Sequence, residues 1–83
     1  MKLVYFAWVR ERIGTPEEER DLPDSVHNVA DLIEWLIGKG ENYAYAFENA
    51  QAIRVAIDKK HVPHDAPLGQ AREIAFFPPM TGG

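Results

Sequence analysis

Asn28-Val29-Ala30-Asp31-Leu32-Ile33-Glu34-Trp35-Leu36-Ile37-Gly38 decides the fold. Val29, Leu32, Ile33, Leu36 and Ile37 recur at i, i+3, i+4, i+7 and i+8, which lays an apolar stripe along one side of an α-helix. Asn28 suits the N-cap, Asp31 stands where a negative charge favours the helix N-terminus, and Gly38-Lys39-Gly40 supplies the stop. A helix with one apolar side must bury it, and the flanking sequence offers strands to do so. Toward the N-terminus, residues 2 to 9 carry valine, tyrosine, phenylalanine and tryptophan and predict a buried first strand, followed by one short helical turn over residues 10 to 13. Gly14-Thr15-Pro16 then breaks the chain before a more exposed second strand near residues 18 to 22.

Toward the C-terminus, residues 41 to 48 suggest a shorter helix. Ile53, Val55 and Ile57 alternate with Ala52, Arg54 and Ala56, the period of a half-buried strand. Asp58-Lys59-Lys60 reads as a turn, His61-Val62 as a short strand, and residues 72 to 77 as the last strand. This order defines an α+β domain in which a mixed sheet wraps one main helix, and a β-grasp is the expected architecture over residues 1 to 77. Residues 78 to 83, Pro-Pro-Met-Thr-Gly-Gly, hold two residues that cannot donate to a sheet and end on two without side chains, so they read as an extended tail.

Composition narrows the function. With 83 residues, 46% of them hydrophobic, there is room for one small domain and no deep internal active site. No cysteine means no disulfide, thiolate metal site or thiol nucleophile, which favours the cytosol. Nine basic against 13 acidic residues give a net charge of −4, the wrong sign for nucleic acid, and the apolar start is too short for a membrane span. His61 and His64 are the only possible metal pair; with no recognised ligand spacing, no metal site is expected. Glu17, Glu18 and Glu19 read as a solvated charge run rather than an acid–base cluster. No nucleophile elbow or phosphate loop occurs, so side-chain catalysis has no carrier and none is expected.

Gly82-Gly83 differs, because it offers a backbone carboxylate on an arm that could enter a channel too narrow for any side chain. Pro78-Pro79 favours an extended start, and the six tail residues could reach roughly 20 Å from the sheet. On composition alone, a frayed terminus with a chance diglycine explains these residues equally well.

Phe76-Phe77-Pro78-Pro79-Met80-Thr81-Gly82-Gly83 closely resembles the C-terminus of the molybdopterin synthase small-subunit family, which are ubiquitin-like sulfur carriers. Val4-Tyr5-Phe6-Ala7-Trp8-Val9-Arg10-Glu11-Arg12-Ile13-Gly14 is similar to the family's opening segment, and Asn28 to Leu32 to the start of its helix. Two departures stand out: Gln70-Ala71-Arg72-Glu73 replaces an Asp-Gly-Asp-Glu turn, and Asp58 and His61 stand where asparagine and an apolar residue are usual. The resemblance implies that Gly83 is adenylated, converted to a thiocarboxylate and threaded, with Pro78, Pro79, Met80, Thr81 and Gly82, into a pocket of the large synthase subunit. Sulfur would pass there to a cyclic pyranopterin precursor. It also implies no bound cofactor, with ATP used by an adenylating enzyme, and that large subunit and that enzyme as partners. A thiamine-type sulfur carrier or a ubiquitin-like modifier shares the diglycine and is the alternative, but such carriers are generally shorter and lack the Phe-Phe-Pro-Pro approach. Strand alternation adds that Phe6 and Phe77, bordered by Arg10 and His61, form an outward patch that docks the large subunit.

Overall fold

The computed structural model describes residues 1–79. Five strands, β1 (Lys2–Tyr5), β2 (Glu17–Glu19), β3 (Arg54–Ile57), β4 (Lys60–Val62) and β5 (Glu73–Phe77), form one sheet in the order β2-β1-β5-β3-β4. The β1–β5 pair is parallel and every other pair antiparallel, so the sheet is mixed as expected. Helices α1 (Ala7–Ile13), α2 (Val29–Ile37) and α3 (Glu41–Ala46) and a 3-10 turn over Ala50–Ala52 complete the chain.

Helix α2 is the predicted amphipathic helix, with Val29, Leu32, Ile33 and Leu36 buried. Its first amides all find acceptors: Asn28 Oδ1 takes the Asp31 N–H at 2.8 Å, and the Val29 and Ala30 N–H groups reach the carbonyls of Ala66 and His64 at 3.2 and 2.8 Å. Asp31 Oδ2 reaches back to the His27 N–H at 3.0 Å, which completes a reciprocal cap. The loop after β4 thereby serves as the cap of α2. The apolar stripe packs on Leu3, Tyr5, Ile53, Val55, Ile74 and Phe76, all closed from solvent, while Ile37 and Ile57 sit at the margin of that core.

The first strand is shorter than the sequence reading. Its alternation holds for Leu3 and Tyr5, both buried, and stops at Phe6, because Ala7–Ile13 is helix. Val9 and Ile13, one helical turn apart, face the core, and Gly14 closes the helix in the left-handed region at φ 99, its N–H reaching the Arg10 carbonyl at 2.8 Å. The aromatic composition of residues 5 to 8 suits a strand, but the i, i+4 spacing of Val9 and Ile13 before a glycine is the stronger constraint. The second strand likewise spans Glu17–Glu19 rather than residues 18 to 22.

Asp58 and Lys59, at φ 48 and 72, are the two residues of a tight turn between β3 and β4, the left-handed type that matches strand twist. The Asp58 carboxylate oxygen Oδ1 accepts the N–H groups of both Arg72 and Glu73 at 2.9 Å. Gln70-Ala71-Arg72-Glu73 therefore starts β5 without an Asp-Gly-Asp-Glu turn because Asp58 supplies the acceptor. Leu36, with no solvent exposure, sits in the middle of the stripe, and Leu36→Ala is expected to cost about 2–5 kcal/mol in chemical denaturation.

Candidate functional site

Parallel pairing makes β1 and β5 leave the sheet at the same end. Tyr5 is registered with Phe76, and the next amide, the Phe6 N–H, donates to the Phe76 carbonyl at 3.0 Å. Beyond that bond the two segments diverge: Phe6 leads into α1, and Phe77 into Pro78, which has no N–H to continue a ladder. Antiparallel β3 begins at the same end, with Arg54 registered against Phe77, and β4 finishes there at Val62. The topology thus gathers residues from four separate segments around the root of the tail.

Alternation sorts them by face. Tyr5 and Phe76 point inward, stacked with ring centroids 5.7 Å apart, and Phe47 meets Phe76 edge-on at 5.2 Å. Phe6 and Phe77 point outward, as the sequence predicted. Phe6 is 48% exposed, and Phe77 is half-buried with the His61 ring tilted against it at 5.1 Å. Arg10 is exposed one helical turn beyond Phe6. Between them a row runs across the sheet from Val4 through Ala75 and Ala56 to His61. Ala56 and Ala75 lie on the outward face yet are nearly closed from solvent, sunk between larger neighbours. Of the four residues expected to form a patch, Phe77 and His61 touch, Phe6 stands exposed at the end of the neighbouring strand, and Arg10 lies on helix α1 one turn further on; Arg54, registered against Phe77, is beside them.

Ala7 sets the geometry of Phe6. Its φ of 51 is a left-handed conformation that costs a residue with a β-carbon about 1–2 kcal/mol, and it turns the chain from strand to helix so that Phe6 stays on the outward face. Helix α1 is fastened to the rest of the domain by Asn42 Nδ2, which donates to the Ile13 carbonyl at 2.8 Å, and by Arg12. That guanidinium lies between the rings of Trp8 and Tyr45, 4.6 and 4.1 Å from their centroids, and donates to the Tyr45 carbonyl and to Glu48, each at 3.2 Å. Trp8, Arg12, Glu48, Asn49 and Ala52 then wall a cavity of about 480 Å³ beside Pro78 and Pro79.

The acidic run is not uniformly solvated. Glu17 and Glu19 are exposed, but Glu18 points to the core side, where its Oε2 accepts from Tyr5 Oη at 2.8 Å and Tyr43 Oη at 2.6 Å and its Oε1 from Arg20 Nε at 3.1 Å. Burial alone would raise the Glu18 carboxyl; the hydrogen bonds from Tyr43 and Tyr5, with Arg20 beside them, outweigh it and hold the group below the usual carboxylate range. Burial, and then donation to Glu18, pushes the Tyr5 hydroxyl well above its ordinary value. This network backs the Tyr5–Phe76 stack from the far side. The other histidines take structural places: His64 Nε2 lies 2.8 Å from the Ile53 carbonyl while His61 rests on Phe77, and among the described residues no three potential metal ligands come together. Met80, Thr81, Gly82 and Gly83 lie outside the described residues.

A mixed five-stranded sheet wrapped on one principal helix, with the chain running on past an outward aromatic patch, defines a ubiquitin-like β-grasp protein. A solved Pyrococcus furiosus chain described as molybdopterin converting factor, subunit 1, superposes with a TM-score of 0.73 at 28% identity, covering 95% of both chains. The sequence profile of the ThiS family matches residues 3–83, and the chain belongs to that family. It is 35% identical to the molybdopterin synthase sulfur carrier subunit of Escherichia coli over all of this chain and 99% of that one. The same identity and coverage hold for the Haemophilus influenzae protein of the same name. Among the described residues, no helix is long and apolar enough to cross a membrane.

The Glu18 network gives a pH signature. A carboxyl with a lowered folded-state value contributes stability above its unfolded value, about 4.3, and loses it as pH falls. A hydroxyl with a raised value contributes below its unfolded value, about 10, and loses it as pH rises beyond that. Glu18→Gln is expected to lower stability by about 1–3 kcal/mol at pH 7 and to flatten the acid limb of a stability–pH profile.

Proposed function

We propose that this chain is the sulfur carrier subunit of a molybdopterin synthase, non-catalytic by itself. The full-length similarity to two relatives of that name carries the reading. It is supported by the aromatic patch beside the root of a segment that continues to Gly82-Gly83. Residues 1 to 77 act as the folded body and residues 78 to 83 as the delivering arm, with Gly83 as the carrying residue.

The chemistry follows from what a glycine carboxylate lacks. At neutral pH it is an anion, with an ordinary pKa of about 3.3–3.7, and so a poor electrophile. An adenylating enzyme would let one carboxylate oxygen attack the α-phosphorus of ATP, expel pyrophosphate and form a mixed anhydride. Hydrosulfide that displaces AMP gives the thiocarboxylate on Gly83 directly; a persulfide donor gives an acyl disulfide instead, whose S–S bond a second thiol reduces, releasing the thiocarboxylate and ending as a disulfide with the donor. In the large catalytic subunit that sulfur passes to the cyclic pyranopterin precursor, and the carboxylate is restored when water supplies the oxygen. The carrier itself holds no cofactor, and the reactions belong to the cytosol, where ATP is supplied. Gly82, Thr81 and Met80 form the narrow part of the arm, Pro78 and Pro79 keep its start extended, and Phe6, Arg10, His61 and Phe77 dock the large subunit.

Two measurements test this. In a reconstituted reaction with the adenylating enzyme, ATP and a sulfur donor, intact mass is expected to rise by the exchange of one oxygen for sulfur. Deleting Gly83 or adding one residue after it, a displacement of about 3.5 Å, is expected to abolish the gain. A modified protein of either kind that still supports molybdopterin synthesis at the native rate would contradict the carrier role. Phe77→Ala is expected to weaken affinity for the large subunit by at least about 1 kcal/mol, and a change under about 0.5 kcal/mol would remove Phe77 from the docking surface.

A further inference from the structure

The outward face carries charge as well as apolar surface, and its pattern is uneven. Among the described residues, Lys2, Arg12 and Arg20 each have a carboxylate within 4.0 Å; Arg54 has none, a state it shares with Arg10, Arg72 and three lysines, and its place on the outward face beside Phe77 sets it apart from them. On a chain of net charge −4, an exposed arginine that has no carboxylate partner among the described residues and is registered against Phe77 is a cation beside the docking patch.

Arg54 also has a receptacle beside it. A hollow of about 350 Å³ is walled by Arg54, Val55, His61, Val62 and Pro63, and it adjoins the patch directly because His61 rests on Phe77. Its lining combines the apolar side chains of Val55, Val62 and Pro63 with the guanidinium of Arg54 and the imidazole of His61. A short anionic side chain fits that lining: its methylenes meet the valine and proline while its carboxylate meets Arg54 in a two-pronged contact. Protein interfaces commonly place such charges on the rim of an apolar centre, where they set the identity of the partner more than the total affinity.

We propose that the Arg54–His61 hollow is a socket for an aspartate or glutamate of the large synthase subunit and that Arg54 is a specificity-determining residue of this carrier. The assignment rests on the sulfur-carrier reading and deepens it by stating the charge that the partner must present. A stably bound subunit, more than a transient activating enzyme, uses an apolar centre with a matched charged rim, which is why the large subunit is the occupant.

The test is the dissociation constant of the intact chain for its own large subunit, measured at about 0.05 M and about 0.5 M salt. Arg54→Gln is expected to weaken binding about threefold and Arg54→Glu about tenfold or more at low salt, with both losses shrinking at high salt. Arg72→Gln, an equal loss of charge at the other end of β5, is expected to stay within about twofold of the native chain. Because both side chains are exposed, thermal unfolding should match the native protein. Unchanged binding by Arg54→Glu, or an equal loss with Arg72→Gln, overturns the socket. Slowed loading by the adenylating enzyme with unchanged affinity for the large subunit overturns it too, since the hollow would then serve the other partner. If the native chain fails to bind the large subunit at all, the carrier reading itself fails.

Discussion

The parallel pairing of β1 with β5 is the constraint on which the rest of the molecule depends. It joins the first and last strands of the domain, puts Tyr5 against Phe76 inside, and leaves Phe6 beside Phe77 outside. Without that register the tail would emerge somewhere other than an apolar platform. The pairing closes nearly the whole chain into one loop, so its contacts are of high sequence separation and are expected to form late in folding. The inner aromatic stack, the Glu18 network behind it and the strained turn at Ala7 all act on this single junction.

Charge is distributed unevenly across the sheet. The β2 edge of the sheet carries three consecutive glutamates, which protect an open edge from pairing with another chain, and one of the three is turned inward to hold Tyr5, Tyr43 and Arg20. Around Phe77 the face carries Arg54 and His61, while Lys2, Lys59, Lys60 and Arg72 lie at the other end of the strands. A chain that is acidic in total thus carries basic side chains at both ends of its strands, and total charge alone describes neither end.

Much of this was legible beforehand, for identifiable reasons. The helix stripe from Val29 to Ile37 repeats its period over more than two turns, is capped by Asn28 and ends at Gly38, so local and global preferences agree. The outward placement of Phe77 follows from strand alternation next to the buried Phe76, whereas that of Phe6, just past the end of β1, also depends on the left-handed turn at Ala7. Ala7 to Val9 are helical although valine and tryptophan favour strands, because the deciding signals, Ile13 one turn after Val9 and the glycine that follows, lie beyond the apolar run itself. The role of Glu18 was hidden for a different reason: its partners Tyr5 and Tyr43 become neighbours only once β2 and α3 are docked, and no local pattern announces that. Asp58 was seen as part of a turn, but its service to the start of β5 depends on strand order.

Hydrogen exchange of the native chain, alone and with the large synthase subunit proposed as its partner, tests most directly whether function is gathered at one end of the sheet. The account predicts new protection in the segments covering Phe6 to Arg10, Arg54 to Val55 and Phe77, with α2 unchanged. Protection that appears along the exposed side of α2 while Phe6 and Phe77 exchange as before would contradict it.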